Sequence, residues 1–275
     1  MTNTIRTIQA GCTDAHVLDL WLHGKAPGTM DNYRADWAHF RQFSGREMRR
    51  VTLDDVQNWL TNLGGSNATR NRKLIAIKSL FRFATRIGYI GFNITALVPF
   101  LKVKDTLIER ILPEGDVLAM IATEPDPRNK GLLSVLYHGA LRVSEVVGLG
   151  WEDLREGVLT VHGKGGRTRF VKLPGHVADA LEKKRCDSGP MFRSRKGGGR
   201  LTRSGAWAMV KVAMCRVGHE RGSPHWLRHA HASHAMDHGA PVHLVQRTLG
   251  HASLHTTSRY VHVRPGESSG DYLAR

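Results

Sequence analysis

Residues 223–239, SPHWLRHAHASHAMDHG, contain the clearest candidate for binding an anion. Ser223 is a candidate helix N-cap and Pro224 suits the first helical position, so a helix is predicted to begin here. His225 then lies in the first turn, and Arg228 lies about 60° away on the same face. The N-terminus of a helix presents unpaired N–H groups and the positive end of the helix dipole, which favour a phosphate. The pattern predicts an anion site with a possible proton donor, His225, beside it.

Tyr260 stands out near the C-terminus because it follows His251 by nine residues in LGHASLHTTSRYVH. A phenol has a pKa near 10, so forming a phenolate at pH 7 costs about 4 kcal/mol before any help from its surroundings. Guanidinium groups lower that cost and bind phosphate oxygens. Tyr260 is therefore a candidate reactive group if arginines surround it in the fold. Tyr272 lacks the same spacing, and we interpret it as an anchor of the tail.

Two further cations are predicted to lie at turns. In GALRVSEVVGL, Gly139 ends one predicted helix and Ser144 can cap the next, which places Arg142 in a turn. GVLTVHG and TRFVKLP alternate in polarity on either side of KGG, which predicts a hairpin with Lys164 at its tip. HGKGGRT lacks the GxxxxGKS/T spacing of a nucleotide-binding loop, so it argues against an ATP site.

The histidines of the same helix raise a metal site as an alternative. His231, His234 and His238 lie within about 60° of one another on a helix. Zinc and iron sites usually also recruit cysteines or carboxylates, and Asp237 projects to a different side. We therefore expect no metal and a structural role for His234, and a histidine-metal nuclease is kept as an alternative.

The charge balance favours a polyanionic partner. Lys and Arg number 40 against 24 Asp and Glu, which gives a formal net charge of +16, and nucleic acid is the commonest partner of such a chain. An anionic membrane surface is the alternative. No segment approaches the roughly 18 apolar residues of a spanning helix, and the N-terminus lacks an apolar signal core. The 3 cysteines are widely spaced, which argues against a disulfide framework. We expect a cytoplasmic protein with no membrane partner.

The periodicity predicts a fold that is mainly α with a small β-sheet. Residues 1–103 are predicted to form an all-helical domain, with helices at 13–23, 29–43, 52–63 and 67–87, and Thr52 with Asp55 predicts a capping box. Residues 104–110 are predicted to be a linker. Residues 111–275 are predicted to form a mixed α/β domain, with the hairpin among helices at 112–123, 128–138, 177–185, 204–217 and from 224 onward. Two basic domains on a tether could close around a duplex.

A basic stripe lies on the fourth predicted helix. Lys78, Arg82 and Arg86 fall within about 80° of one another, away from the apolar face formed by Leu74, Ile77, Phe81 and Ala84. We interpret the stripe as a contact with DNA. The alternative is that it is only a solvated face.

Taken together, four segments resemble the tyrosine recombinase (phage integrase) family, particularly its compact Xer-like members. They are GALRVSEVVGLGWEDL, HGKGGRTRFVKLP, HWLRHAHASHAMDHGAPVHLVQRTLGH and TTSRYVH, and they occur in the family's order from about Pro113 to His262. The helical first hundred residues are similar to the family's core-binding domain. The resemblance therefore implies a core-binding domain followed by a catalytic domain.

The resemblance also implies a role for each of six catalytic residues. Tyr260 would be the nucleophile, and two arginines would grip the scissile phosphate. Lys164 would protonate the departing 5′ oxygen, and His225 would act as an acid or base near the nucleophile. The full set is Arg142, Lys164, His225, Arg228, His251 and Tyr260, with Glu145 in a supporting role.

The implied reaction is site-specific strand exchange in double-stranded DNA. A 3′-phosphotyrosyl link conserves the bond energy, so neither ATP nor a metal is needed and no cofactor is expected. A homotetramer would hold two DNA sites and exchange strands through a Holliday junction, with a related recombinase or an accessory protein as a possible further partner. Only fifteen residues follow Tyr260, so we expect a weak or DNA-dependent tetramer. A catalytically silent DNA-binding protein is the other alternative.

Overall fold

The computed structural model describes residues 11–163, 166–195 and 197–250. The chain divides into two compact units, Met1–Lys104 and Asp105–Arg275. Each unit has its own hydrophobic core. Among the described residues, no helix combines the length and the apolar character that crossing a membrane requires.

The first unit contains the four helices predicted from the sequence. They are α1 Asp14–Leu22, α2 Pro27–Ser44, α3 Leu53–Asn62 and α4 Asn67–Arg86, with short 3-10 turns at Met48–Arg50 and Ile94–Leu97. The predicted capping box is confirmed, because Thr52 Oγ1 accepts from the Asp55 N–H at 3.2 Å and Asp55 Oδ2 accepts from the Thr52 N–H at 2.8 Å. It satisfies two N–H groups that the first turn of α3 would otherwise leave unpaired.

Aromatic side chains fill the core of the first unit. Phe40 of α2 packs edge-on against Trp59 of α3 and Phe81 of α4, with ring centroids 5.1 and 6.3 Å apart. All three side chains are fully buried. This packing, which is favourable for the ring quadrupoles as well as for burial, holds α4 so that its other faces remain at the surface.

The second unit is mixed, as predicted. Its helices are α5 Glu114–Ala122, α6 Pro127–His138, α7 Val143–Val146, α8 Gly175–Glu182, α9 Arg203–Arg216, α10 Pro224–Asp237 and α11 Val242–Leu249. The strands β1 Leu154–Arg155, β2 Val158–His162 and β3 Thr168–Lys172 form an antiparallel sheet in that order. The predicted hairpin is therefore confirmed as β2 and β3, with Val161 opposite Arg169.

The core of the second unit fixes the rotation of α10. Leu227 and Ala230 are fully buried, in one cluster with Leu132 and Leu136 of α6. Residues on the other faces of α10 are therefore held at defined angles around its axis. This constraint determines where His225 and Arg228 project.

Two details differ from the sequence analysis or extend it. Ser144 is not the N-cap of the short helix α7, which begins at Val143 with Arg142 in the N-cap position. The reason is that the Glu145 carboxylate accepts the Arg142 backbone N–H at 2.8 Å and so starts the helix earlier. Within the segment 104–110, Leu107 is buried in a cluster with Val245 and Leu249, and Ile108–Arg110 form a 3-10 turn.

Candidate active site

Helix α10 places His225 and Arg228 as the sequence predicted. Ser223 occupies the N-cap position, and Pro224 is at the first turn. His225 is exposed, whereas Arg228 is only 4% exposed. One end of the helix thus presents an imidazole at the surface and a guanidinium inside the protein.

Two helix ends hold the buried guanidinium of Arg228. Its Nη1 donates to the Ala140 carbonyl and its Nη2 donates to the Leu249 carbonyl. Ala140 follows the C-cap of α6, and Leu249 is the last residue of α11. The Leu249 carbonyl, at the C-terminal end of α11, lacks an intrahelical partner and carries partial negative charge, so it stabilises a cation that has lost its water, and the Ala140 carbonyl adds a second acceptor.

The turn that leads to Arg142 has an unusual backbone. Ala140 has a φ of 52°, in the left-handed region that alanine rarely adopts. Such a conformation costs about 1 to 2 kcal/mol and persists only where the surroundings enforce it. The bond from Arg228 to the Ala140 carbonyl is one such enforcement. The same contact therefore shapes the turn that carries Arg142 two residues later.

Arg142 and His225 line one pocket of the second unit. The pocket has a volume of about 760 Å³, and its lining includes Arg142, Ser144, Arg203, Ser204, Trp207 and His225. The Arg142 side chain is 38% exposed, so its charge is accessible from the pocket. The structure thus brings together two of the predicted catalytic residues, with Arg228 beside them, in a basic environment that suits a phosphate.

The electrostatic environment changes the protonation of His225. His225 reaches the surface, but its ring is partly enclosed in the pocket wall, and this partial burial, together with the positive charges of Arg228 and Arg142, lowers the pKa of His225 below its ordinary value. A lowered pKa leaves more of the neutral imidazole at pH 7, and the neutral ring can accept a proton. The neutral ring of His225 can therefore accept a proton at the wall of this pocket.

Glu145 joins Arg142 to a third arginine that the sequence analysis did not identify. Its Oε1 accepts from Arg142 Nη1 at 2.9 Å. Arg169 of β3 donates Nη1 to Oε1 at 2.9 Å and Nη2 to Oε2 at 2.8 Å. Burial alone would raise the pKa of Glu145, but the hydrogen bonds from Arg169 and Arg142 outweigh it and lower the pKa to about 2. The carboxylate is therefore ionised wherever the protein is folded near neutral pH.

Arg169 also reaches the end of α11. Its Nε donates to the Thr248 carbonyl at 2.8 Å, and its side chain is only 12% exposed. A sequence signal for Arg169 does exist, because the alternation of β3 places it on the same side of the strand as buried Val171. That signal indicates an inward arginine, but it does not identify the partner.

The histidines of α10 and of its C-cap, His238, make separate contacts with the protein. His234 Nδ1 lies 2.9 Å from the Tyr137 hydroxyl, and His234 Nε2 lies 3.0 Å from the Leu112 carbonyl. His238 Nε2 lies 2.9 Å from Glu114 Oε2. Burial lowers the pKa of His231 to about 4. In residues 11–163, 166–195 and 197–250, no group of three or more potential ligands is arranged to hold a metal ion. The contacts of His234 agree with the structural role predicted for it.

The basic stripe of the first unit has two kinds of member. Arg82 and Arg86 are exposed on α4. Lys78 is partly buried, because its Nζ donates to the Val98 carbonyl at 2.6 Å and lies 4.8 Å from the centre of the Phe100 ring. Burial and the nearby charge of Arg82 lower the pKa of Lys78. The two arginines are therefore the more accessible cations of the stripe.

The remaining residues of the predicted site lie outside the described part of the chain. They are Lys164, His251 and Tyr260, and Tyr272 lies there as well. The described strands β2 and β3 flank Lys164 in the sequence, and Gly250, the C-cap of α11, directly precedes His251.

Replacing Glu145 by glutamine tests the electrostatic part of the network. Because the pKa of Glu145 falls from 4.5 to about 2 on folding, the ionised group stabilises the protein by about 3 kcal/mol above pH 4.5. This contribution is lost as the pH falls from about 4.5 towards 2. We expect E145Q to lower the Tm at pH 7, and we expect the difference from wild type to shrink as the pH falls below about 4.5.

Thermal unfolding between pH 7 and pH 3 measures this difference. The matched control is E182Q, which removes an exposed carboxylate paired with Arg185. It should change the free energy of unfolding by less than about 1 kcal/mol. A difference between E145Q and wild type that is the same at every pH would contradict the role of the ionised carboxylate.

Comparison with known proteins places this chain in a family. The profile of the phage integrase family matches residues 111–267, and that of the phage integrase N-terminal SAM-like domain matches residues 14–88. Tyrosine recombinase XerD of Pseudomonas aeruginosa is 34% identical, and the alignment covers 94% of each chain. Tyrosine recombinase XerC of Roseiflexus sp. is 32% identical over 89% of this chain and 86% of its own.

A solved structure shares the fold. In the crystal structure of a lambda integrase dimer bound to a COC′ core site, the similar chain is 20% identical, with a TM-score of 0.76 over 93% of this chain and 95% of its own. The chain therefore belongs to the phage integrase family and is similar to its XerC and XerD tyrosine recombinases.

Proposed function

We propose that this protein is a site-specific DNA recombinase that cleaves and rejoins double-stranded DNA through a 3′-phosphotyrosyl intermediate, without ATP or metal. The observation that carries the proposal is that Arg142 and His225 line one basic pocket, where the charge of the buried Arg228 also acts on His225. Membership of the phage integrase family and the complete ordered set of motifs support it.

The two arginines supply the charge that the reaction requires. As phosphorus becomes five-coordinate, negative charge grows on its non-bridging oxygens, and fixed cations stabilise that charge most when they are already in place. Arg142 faces the pocket, and Arg228 adds a positive charge held by the ends of α6 and α11. In this role they replace the metal ions of many phosphoryl-transfer enzymes.

The remaining steps are assigned to side chains by their chemistry. The Tyr260 oxygen attacks phosphorus and gives its proton to His225, whose lowered pKa favours the neutral base. The bond from phosphorus to the 5′ oxygen breaks, and Lys164 gives that oxygen a proton. His251 hydrogen-bonds the phosphate. One phosphoester has replaced another, so a 5′-hydroxyl of a partner duplex can reverse the step and seal an exchanged strand.

The chain would divide this work between its domains. Residues 1–103 bind the duplex, with Arg82, Arg86 and Lys78 near its phosphates, residues 104–110 link the domains, and residues 111–275 carry the chemistry. Four copies hold two DNA sites and exchange strands in pairs through a Holliday junction. A related recombinase or an accessory protein is a further candidate partner.

The first test replaces Tyr260 by phenylalanine. With a nicked duplex that carries a target site, wild type should form a covalent protein-DNA adduct that survives denaturing electrophoresis. Y260F should form none, because it lacks the attacking oxygen. The matched control is Y272F, which should retain the adduct. Loss of the adduct in Y272F with retention in Y260F would reassign the nucleophile.

The same assay separates the alternatives. A catalytically silent DNA-binding protein would bind the duplex but give no adduct with wild type. A histidine-metal nuclease would lose cleavage in EDTA, whereas adduct formation by arginines and lysine should persist in it. Mapping the positions of covalent attachment would also identify the target sequence.

A second test concerns the exposed arginines of α4. Each phosphate contact that is lost should reduce the slope of log K against log salt by about 0.9, so R82A/R86A should lower DNA affinity and reduce that slope by about 2. Fluorescence anisotropy at several salt concentrations measures both. R34A is the matched control, because Arg34 is exposed on α2 and paired with Asp19. Equal slopes for wild type and R82A/R86A would remove this surface from the proposed interface.

A third test concerns assembly. Four chains that each carry a formal charge of +16 repel one another, and DNA phosphates relieve that repulsion. We therefore expect a tetramer on two DNA sites and smaller species in the absence of DNA. Light scattering with and without target duplex measures this. A tight tetramer without DNA would contradict the expected dependence.

A further inference from the structure

We propose that Arg169 is a positioning residue for strand exchange, which holds Glu145 and the end of α11 so that Arg142 keeps its positive charge for the scissile phosphate. This inference rests on the proposed function. It goes beyond the six catalytic residues, since Arg169 acts through Glu145 and α11 rather than by touching the phosphate.

Glu145 shares its one negative charge between two arginines, Arg142 and Arg169. Glu145 lies between two guanidiniums and is 4% exposed, Arg169 is 12% exposed, and Arg142 is 38% exposed. One carboxylate shared by two arginines leaves the group with one net positive charge, and the more exposed member of the group lines the pocket. Without Arg169, Glu145 would neutralise Arg142 at close range. A neutral pair attracts a phosphate far less than a cation does.

The planar guanidinium of Arg169 binds two partners at once. Arg169 uses both Nη atoms on the two carboxylate oxygens and Nε on the Thr248 carbonyl. These three bonds require the planar fork of arginine, and a lysine has no equivalent arrangement of donors. Because its backbone is held in β3 opposite Val161, Arg169 fixes both partners relative to the sheet.

The C-cap of α11, Gly250, packs closely against the side chain of Arg169. Gly250 has a φ of 64°, and a Cβ at this position would lie 3.2 Å from Arg169 Cδ. The absence of a side chain allows the close approach of the arginine to the helix end. Arg169 therefore sets the position of the residue that directly precedes His251 in the sequence. The side chain of Arg169 thus contacts both Glu145, which binds Arg142, and Gly250, which directly precedes His251 in the sequence.

The test compares R169M with wild type in single-turnover adduct formation, DNA affinity and thermal unfolding, using a nicked duplex with a mapped attachment site. We expect R169M to slow adduct formation by about 100-fold, since preorganised charge acts mainly on the transition state. DNA affinity should change by less than about 3-fold, because only one of many phosphate contacts is weakened. The matched control, K172M, removes an exposed cation of the same strand whose Nζ donates to the Glu156 carbonyl, and it should cleave at the wild-type rate.

A double variant separates positioning from simple stability. In E145Q/R169M the carboxylate charge is gone, so Arg142 regains its net charge and the adduct should form about 10-fold faster than in R169M. A purely structural role would give no such recovery. If R169M does not fold, R169K is used instead, because lysine retains the positive charge but lacks the planar guanidinium. R169K should slow adduct formation about 10-fold at unchanged DNA affinity.

Three results would overturn the inference. The first is adduct formation at the wild-type rate in R169M, or in R169K where that variant replaces it. The second is a loss of DNA affinity and of adduct-formation rate in proportion to the loss of thermal stability. The third is an E145Q/R169M variant that forms the adduct no faster than R169M. If wild type forms no adduct, the proposed function is rejected, and the inference about Arg169 is rejected with it because it rests on that function.

Discussion

The need to hold several positive charges close together is the constraint on which this site depends. Arg142 and Arg169 share the carboxylate of Glu145, and Arg228 binds the Leu249 carbonyl next to the Thr248 carbonyl that Arg169 binds, so positive charges that repel one another are held in one part of the second unit. The protein offsets that repulsion without cancelling it. One buried carboxylate serves two of the arginines, and carbonyls at two helix ends serve the third. The result is a site whose net charge stays positive while each buried cation has hydrogen-bond partners.

The same arrangement explains why so much of the fold contributes to a small pocket. Arg142 comes from a turn after α6, Glu145 from α7, Arg169 from β3, and Arg228 from α10. Each of these elements is anchored in the core by apolar neighbours such as Leu136, Val146, Val171 and Leu227. Rigid elements hold charged groups more closely to a required geometry than loops do. The cost is local strain, seen in the left-handed backbone of Ala140.

The sequence predicted the parts of this site that local rules control. The positions of His225 and Arg228 follow from helix periodicity and from proline at the helix start, and the hairpin follows from alternation around KGG. Ser144 was wrongly predicted as a cap, because side-chain type alone does not show that Glu145 accepts the Arg142 N–H. Arg169 was missed since its partners lie 24 and 79 residues away in the chain. The catalytic roles of all six residues come from the family resemblance and stay predictions, and Lys164, His251 and Tyr260 lie outside the described residues.

The contacts at the end of α11 restrict the length of that helix more than its composition. The carbonyls of Thr248 and Leu249 are consecutive, and each accepts from a different arginine. One residue inserted between Pro241 and Gly250 would rotate both carbonyls by about 100° and remove both bonds together. The exposed positions His243, Leu244 and Arg247 carry no such restriction. Over evolution this segment is therefore free to exchange surface side chains, whereas insertions and deletions within it are excluded.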